Sequence, residues 1–546
     1  MRRMPLRGLA SWSILMLLPA LFSDTPAQTV SRRFNAADPS FLAGARLYRE
    51  GVLPSHRPLR GSRAAGAAVE GAEAACANCH GRSGMGSTEG PIAIPPITGT
   101  HLFRSVAARS AAGRARTPYT DETLAHAIRD GVDPENRALD YLMPRFDLDE
   151  ETMHLLIDYL KGMARVRTPG VTGSDTLEFA TVVTPDSDPV RRRGMLDVLG
   201  AMFTMDDPAH GVAARRDAFR SIGRSAGRTW ALHVWELTGT SDSWERQLTA
   251  HMQAQPVLAV ISGVGGDNWQ PVHRFCERES VPCLLPLVDL PVVAENDFYS
   301  VYFSKGVLLE AQLLAQRITK QPSRTGRVVQ VFRSGDVGEA AARALAAALT
   351  GAPLSVVEHP MAARSSPRGF AEALPAAGEG DVFVLWLRPS DLAALPALPP
   401  SASVILASGL MGGLEQAPLP AAWRAVTKLT YPFELPQARR TRMNYPLGWF
   451  RIHGIPVVDE RAQTDTYLAC VILADALTKL SGNFNPDYLV EQVVAQADHR
   501  LINGYYPRLG LAAGQRFASK GGYLVQFAQP TGTSLKAVSD WTVPQG

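Results

Sequence analysis

The segment ACANCHGRSG, residues 75 to 84, places two cysteines and a histidine within five positions. Cys76 and Cys79 are separated by two residues, and His80 follows directly. A cysteine pair with this spacing serves structural zinc, thiol–disulfide exchange or covalent attachment of a haem. Zinc would need two further ligands at similar spacing, and the other three cysteines lie about 200 residues downstream or more. A thioredoxin-type pair would follow a buried strand, whereas the preceding residues here are AAGAAVEGAEAA.

Cys-x-x-Cys-His is the attachment signature of a c-type haem. Two thioether bonds hold the ring over one helical turn, so the imidazole of the next residue faces the iron. We therefore predict that Cys76 and Cys79 carry one covalent haem c and that His80 is the proximal ligand of its iron. The prolines of the downstream segment IPPITG suit a loop over the haem, and the carbonyl of Pro95 is expected to accept the N–H of the imidazole nitrogen that does not bind iron.

Helices and turns surround the motif. Upstream, FLAGARLYREG is predicted to form a helix in which Gly44 lets a second helix cross closely. Downstream follow a helix with Leu124 and Ile128 on one face, the segment LMPRF, and a last helix that Asp147 is expected to cap. This order of elements, over about residues 36 to 165, resembles the class I cytochrome c family.

The resemblance implies that the motif cysteines form the thioether bonds, that His80 is the proximal ligand and that Met143 is the sixth ligand. In this region Met143 alone is followed by proline just before a capped terminal helix. Met153 and Met163 fall on the apolar face of that helix and are expected in the core. The run RPLRGSRAAGAAVEGAEAA lengthens the connection before the motif and is expected to be a solvated loop.

The first 27 residues differ from the rest of the chain. Three arginines precede the apolar run LASWSILMLLPALF, which leads into SDTPAQ with Ala27 as a cleavage point. We expect a cleaved signal peptide and a protein exported to the periplasm. The alternative is a membrane anchor, but this run is shorter than the roughly 20 residues that cross a bilayer core.

The net charge of the chain is +3, and residues 1 to 27 hold three arginines against one aspartate, so the mature chain is close to neutral. No basic tract interleaved with aromatic residues is present, which argues against a nucleic-acid partner. The sequence also lacks a Gly-x-Ser-x-Gly elbow, a His-Glu-x-x-His motif and a P-loop, so we assign no catalytic residue.

Beyond the linker ARVRTPGVTGSD, short apolar runs alternate with amphipathic helices. The predicted strands are LEFATVV, WALHVWE, VLAVIS, VPCLL, RVVQVF, VFVLWL and SVILAS. Such alternation indicates mainly parallel sheets covered by helices, and about 350 residues of it exceed one sheet. The stretches QPVLAVISGVGGDNWQPVHRFCERESVPCLLPLVD and TGRVVQVFRSGDVGEAAARALAAAL resemble the type I periplasmic solute-binding proteins, the branched-chain amino acid and amide family of transport systems.

This resemblance implies a two-lobed α/β domain with a small-molecule ligand between its lobes. We expect an all-α cytochrome c domain followed by that domain. The chain then divides into a signal peptide (1–27), a cytochrome c domain (28–165), a linker (166–176), a solute-binding-like domain (177–530) and a C-terminal tail (531–546).

Ligands of open α/β sheets lie beyond the carboxyl ends of the strands. The loops expected there contain the candidate ligand-binding residues Ser262, Gly265, Gly266, Asp267, Asp289, Ser304 and Asp336. Exposed N–H groups of the segment SGVGGD are expected to hold a ligand carboxylate. The alternative is that these loops are ordinary turns, in which Asp267 caps its own helix.

Together these features predict a periplasmic monohaem cytochrome that transfers single electrons to a redox partner protein. Its second domain would bind a small molecule, as an accessory of a periplasmic oxidation system. The alternative is a transport receptor with a membrane permease as its partner, in which the haem is auxiliary. A further alternative is an enzyme such as a haem peroxidase, which needs an open iron site; this hypothesis gains strongly if Met143 is not a ligand. Cys276 and Cys283 could form a disulfide, and Cys470 is expected to be buried.

Overall fold

The computed structural model describes residues 38 to 544, apart from the segments 64–65, 106–115, 164–167, 174–175, 205–227, 321–325 and 498–503 and the positions 296, 365, 403, 481 and 513. The predicted signal peptide, residues 1–27, lies outside the described residues. The chain forms an N-terminal module, residues 38–163, and two lobes that each contain a seven-stranded sheet.

The module is built around two long helices that cross. Its helices are α1 (Pro39–Glu50), α2 (Ala77–His80), α3 (Gly99–Leu102), α4 (Asp121–Arg129) and α5 (Glu150–Met163). Gly44 lies at the crossing of α1 and α5, where a Cβ atom would stand 2.7 Å from the Cβ of Tyr159, so the close approach requires glycine. Leu47, Tyr48 and Leu156 are buried in the core between these helices.

The module is not all-α, which corrects the fold expected from the sequence. It also contains five short strands, β1 (Arg60–Ser62), β2 (Ala68–Glu70), β3 (Ser87–Glu89), β4 (Ile92–Ile94) and β5 (Arg145–Phe146). The Ala- and Gly-rich run expected as a solvated loop contributes β1 and β2, because Gly61 admits the Phe146 ring against the backbone and Val69 is buried. The last helix is capped by Asp149 and not by Asp147, since Oδ1 of Asp149 accepts the N–H of Thr152 at 2.8 Å.

Lobe 1 contains a mainly parallel sheet. Its strands are β6 (Val171–Thr172), β7 (Thr176–Val183), β8 (Thr229–Glu236), β9 (Ala259–Ile261), β10 (Cys283–Leu284), β11 (Ser300–Ser304) and β17 (Phe517–Ser519), in the order 17-11-10-9-7-6 with β8 beside β7. The predicted linker is in part a strand, because β6 pairs antiparallel with β7. The lobe's helices are α6 (Pro189–Thr204), α7 (Trp244–Ala254), α8 (Gln270–Glu279), α16 (Glu460–Lys479) and α17 (Pro486–Ala497), with α16 packed between α6 and α17.

Lobe 2 repeats this plan with an antiparallel edge. Its strands are β12 (Arg327–Arg333), β13 (Ser355–Met361), β14 (Val382–Trp386), β15 (Val404–Ala407), β16 (Thr427–Tyr431), β18 (Tyr523–Phe527) and β19 (Leu535–Ala537), in the order 13-12-14-15-16-18-19. Its helices are α9 (Val307–Thr319), α10 (Val337–Ala348), α11 (Pro367–Glu372), α12 (Pro389–Ala393), α13 (Gly409–Gly412), α14 (Ala421–Val426) and α15 (Pro436–Ile452). The segment 531–546, expected as a tail, contributes β19 to this sheet, so that boundary is corrected.

The chain passes between the lobes three times. It leaves lobe 1 after β11, returns from lobe 2 to supply α16, α17 and β17, and goes back to lobe 2 for β18 and β19. Loops that follow parallel strands of both lobes meet where Arg388 contacts Asp267, and the space between the lobes at these strand ends is called the cleft below. Among the described residues, no helix has both the length and the apolar character needed to cross a membrane.

Candidate functional site

The motif Cys-x-x-Cys-His forms a single helical turn. The N–H groups of Cys79 and His80 donate to the carbonyl of Cys76 at 3.3 and 3.0 Å. Gly81 follows with φ of 75°, a left-handed conformation that favours glycine and ends the turn. Both thiols and the imidazole therefore project from one turn, as ring attachment requires.

The imidazole of His80 is buried and oriented. Its Nδ1 lies 2.9 Å from the carbonyl oxygen of Pro95, which is the contact expected from the sequence. A carbonyl oxygen only accepts, so Nδ1 carries the proton and Nε2 keeps a free lone pair. Within the part of the chain that the structure describes, Nε2 has no hydrogen-bond partner. Burial lowers the pKa of His80, which keeps the ring in the neutral form that binds a metal.

The two thiols fit haem attachment better than zinc. Cys76 packs against the core of the module and Cys79 is half-buried, and neither forms a disulfide. Burial raises the pKa of Cys76 to about 12, so the free thiol is protonated at neutral pH. Ligands of one zinc ion converge on a point, yet no such convergence is found at the motif. Among the described residues, the only three ligand-type side chains whose donor atoms lie within 4.8 Å of one another are those of His273, Glu277 and Asp297.

Met143 lies in the loop between α4 and β5, partly buried against the same core that Cys76 contacts. The Arg145 guanidinium donates to the carbonyl of Met143 and holds this loop. Met153 and Met163 are buried in the core, as expected. The assignment of Met143 as sixth ligand stays a prediction.

The group His273, Glu277 and Asp297 is already satisfied internally. Nε2 of His273 lies 2.9 Å from Asp297, and its Nδ1 lies 2.8 Å from the hydroxyl of Tyr302. The Glu277 carboxylate accepts the N–H groups at the start of β11, including that of Ser300 at 2.7 Å. These contacts give the three side chains a structural role.

In the cleft, the segment 262–267 is a tightly bonded turn. The N–H groups of Gly263, Gly265, Gly266 and Asp267 donate to acceptors within lobe 1, which are Thr181 Oγ1, Leu287 O, Thr184 Oγ1 and Asp186 Oδ2. They are therefore not free to hold a ligand carboxylate, which corrects that expectation. The glycines serve packing, because a Cβ atom on Gly265 would lie 2.6 Å from the Trp269 ring.

Three other candidate residues also have structural partners. The Ser262 hydroxyl lies 3.2 Å from that of Thr466 on α16, and Ser304 Oγ accepts the N–H of Gly306 at 3.1 Å. Asp289 is buried in the loop that follows β10.

Two arginines neutralise Asp289. Nη1 of Arg191 lies 3.2 Å from both of its carboxylate oxygens, and Nη2 of Arg461 lies 3.7 Å away. Although burial raises the pKa of Asp289, these two guanidinium groups outweigh it and hold the pKa below its ordinary value.

Asp267 of lobe 1 and Asp336 of lobe 2 both accept hydrogen bonds from one arginine, Arg388. Arg388, two residues after the end of β14, contacts Asp336 at 2.6 Å and Asp267 at 2.9 Å. Burial and the neighbouring Asp336 raise the pKa of Asp267 to about 6. Asp267 does not cap its own helix, because Asn268 Oδ1 accepts the N–H of Gln270 there. The structure thus brings Asp267 and Asp336, two of the candidate ligand-binding residues, to the same side chain, that of Arg388.

Sequence reasoning overlooked Arg388, although the rule that selected the other loops applies to it, since it follows the predicted strand VFVLWL. Arg191 and Arg461 lie on helices far apart in the sequence and carried no such signal. Cys276 and Cys283 are buried free thiols next to each other, and Cys470 is buried as expected. A hydrogen bond with Cys283 raises the pKa of Cys276 well above its ordinary value, and burial adds to the effect.

The chain matches no protein-family model and no curated protein sequence. Among solved structures it is similar to a fatty acid ABC transporter substrate-binding protein from Thermomonospora curvata, with 16% identity, 69% of this chain and 95% of that chain covered, and a TM-score of 0.48. It is also similar to a branched-chain amino acid ABC transporter protein from Thermus thermophilus with bound valine (11% identity, 68% and 97% covered, TM-score 0.48). A leucine-binding protein from Thermotoga maritima shows 12% identity, 66% and 98% coverage and a TM-score of 0.44.

Proposed function

We propose that this protein is exported to the periplasm and binds a small molecule between its two lobes, as the receptor of a membrane permease. The observation that supports this function most is the contact of Arg388 with Asp267 and Asp336. It brings loops after β9, β12 and β14 to one point, and ligands of open α/β sheets bind beyond such strand ends.

The charged side chains near the contact of Arg388 form ion pairs with one another. Asp267 and Asp336 share Arg388, and Asp289 is neutralised by Arg191 and Arg461. We expect a ligand that enters between the lobes to displace the half-exposed pairing of Arg388 with Asp267, because this ion pair joins the two lobes. Binding and the relative position of the lobes are linked through this pair.

The receptor function can be tested by thermal unfolding of the full chain with a panel of amino acids, amides and carboxylic acids. A ligand at 100 times its dissociation constant stabilises the folded state by about 2.7 kcal/mol. We expect at least one compound to do so, and Asp336→Asn to weaken its binding at least tenfold. Glu372→Gln, an exposed change on α11, is the control and should leave binding unchanged. Equal affinity of the Asp336 variant and the control would exclude this cleft as the site.

A second function, transfer of single electrons, is favoured by the orientation of His80 on Pro95 within the Cys-x-x-Cys-His turn. We propose that Cys76 and Cys79 hold one haem c, that His80 binds its iron through Nε2, and that Met143 is the sixth ligand. A haem c bound in this way supplies one-electron redox chemistry. The partner would be a periplasmic redox protein, and the receptor would then serve a periplasmic oxidation system.

Haem attachment is tested by acid–acetone extraction and intact-protein mass after export from a host that matures c-type cytochromes. We expect the haem to stay with the polypeptide, and Cys76→Ala with Cys79→Ala to remove it. Extraction of the haem from the unaltered protein would contradict covalent attachment. Met143→Ala is expected to admit carbon monoxide and to lower the potential, because a neutral sulfur ligand favours ferrous iron. An unchanged spectrum would assign the sixth ligand to another residue.

A further inference from the structure

The loop that follows His80 is held by two different parts of the chain. On the module side, the Tyr48 hydroxyl donates to the carbonyl of Gly81 at 2.7 Å. On the other side the loop meets α17 of lobe 1, where Oε1 of Glu491 accepts the N–H of Ser83 at 3.0 Å and Oε2 accepts its hydroxyl at 2.5 Å. Ser83 is buried by this contact. Residues about 400 positions apart therefore form one structure.

Further contacts fix the same surface. Asp487, one turn before Glu491, accepts from Arg49 of α1 at 2.7 Å and from the Tyr299 hydroxyl at the start of β11. Asp487 is buried, so this ion pair is shielded from water and salt. Arg82 stacks over the ring of Phe298, with 4.6 Å from its guanidinium carbon to the ring centre.

The fit at this surface is close. A Cβ atom on Gly81 would lie 2.9 Å from Oε1 of Glu491, so the residue after His80 must be small here as well as left-handed. Nδ2 of Asn483 lies 2.9 Å from the sulfur of Met85 at the far end of the loop. From Gly81 to Met85 the loop is thus bounded on one side by lobe 1.

We propose that α17 of lobe 1 forms the second wall of the proximal haem pocket, with Glu491 as the positioning residue for the loop after His80. This inference rests on the proposed haem. It adds that the pocket is completed only in the full chain, and that a carboxylate of the receptor part contributes to the haem potential.

The physical consequence concerns charge. A ferric haem carries one more positive charge than a ferrous haem, so a nearby carboxylate stabilises the oxidised form. Burial raises the pKa of Glu491 to about 7, and at pH 8 its carboxyl is mostly ionised. Removing this charge should favour reduction. Because α17 packs on α16, which contacts Ser262 and Asp289 in the cleft, the same surface connects the pocket with the ligand site.

The test compares Glu491→Gln and Glu491→Ala with Glu150→Gln in the full chain at pH 8. Glu150 is an exposed carboxylate on α5, so its change removes the same charge from another face of the module. The first measurement is hydrogen exchange at the Ser83 amide, which does not require haem. We expect at least tenfold faster exchange in Glu491→Ala and no change in Glu150→Gln. Unchanged exchange in Glu491→Ala would overturn the proposal.

The second measurement is a redox titration of the haem. Glu491→Gln keeps an acceptor for Ser83 but loses the charge, and we expect the reduction equilibrium to shift toward the ferrous form by up to tenfold, about 59 mV for a one-electron couple. A shift no larger than that of Glu150→Gln would overturn the contribution of the Glu491 charge to the haem potential. If mass spectrometry finds no covalent haem while the exchange result holds, the haem function fails and the docking of the loop on α17 stands.

Discussion

The molecule has two internal interfaces that are built differently. Where the module meets lobe 1, Asp487 is 7% exposed and Arg49 is 29% exposed, and the contact continues through Glu491 and Ser83. Where the lobes meet across the cleft, Arg388 is 39% exposed and Asp267 is 46% exposed. Buried pairs are costly to break, whereas exposed pairs are weak and screened by salt. From this difference in the exposure of the ion pairs, we expect a fixed module and lobes that can separate at the cleft.

The largest effect is expected at the fixed interface. Asp487→Asn leaves Arg49 without its anionic partner in a mostly buried position, which should lower the free energy of unfolding by roughly 3 kcal/mol. Denaturant unfolding of the full chain measures this change. Asp242→Asn, an exposed change in lobe 1, is the control. A decrease in unfolding free energy of less than about 1 kcal/mol would show that the ion pair of Asp487 with Arg49 contributes no more than an exposed pair does.

A second effect concerns the pH dependence of stability within lobe 2. Glu310 on α9 is fully buried, and its carboxylate accepts from Thr430 at 2.6 Å and from the Leu410 N–H at 2.9 Å. Burial raises its pKa to about 7, so between pH 4.5 and 7 the folded state binds more protons than the unfolded state. The stability from this group is complete below pH 4.5 and is lost as the pH rises through 7, by roughly 3 kcal/mol.

Glu310→Gln should therefore flatten the fall in unfolding free energy between pH 4.5 and 7. The measurement is denaturant unfolding at several pH values. Asp465 also has a pKa raised to about 7 by burial, so part of the slope remains in the variant. Identical slopes in the two proteins would show that Glu310 is ionised in the folded state throughout this range.

The smallest effect on stability is expected at the cleft. Asp267→Asn removes one ion pair in which both side chains are partly exposed, so the unfolding free energy should change by no more than about 1 kcal/mol. Addition of salt should reduce the difference further, because the pair with Asp267 is screened. A loss of several kcal/mol would mean that the lobes are locked together as firmly as the module is.

The sequence predicts the local features of this molecule better than its long-range contacts. The turn of Cys76, Cys79 and His80 and its contact with Pro95 follow from spacing within 20 residues, so local geometry determines them. The seven predicted strands are all present, but β11, β13 and β16 to β19 are short or of mixed polarity and gave no clear pattern.

Long-range contacts carried no signal in the sequence. Glu491 lies 408 residues from Ser83, and nothing in the helix that carries it indicates a partner. The glycines of the segment 262–267 suggested open backbone, whereas they admit the side chains of Trp269 and Asp186. A glycine in the sequence indicates that another group packs closely against the backbone, but it does not tell whether that group is a ligand or a side chain of the protein.

Distances between spin labels test the contrast between the two interfaces most directly. Labels at Glu151→Cys on α5, Arg246→Cys on α7 and Arg368→Cys on α11 mark the module, lobe 1 and lobe 2 at exposed positions. Cys76 and Cys79 are replaced by alanine in this experiment, and Cys276, Cys283 and Cys470 are buried. We expect one narrow distance between the module and lobe 1, unchanged by Arg388→Ala, and a distance between the lobes that broadens or lengthens in that variant. A broad distribution between the module and lobe 1, or a lobe-to-lobe distance that Arg388→Ala leaves unchanged, would contradict the account.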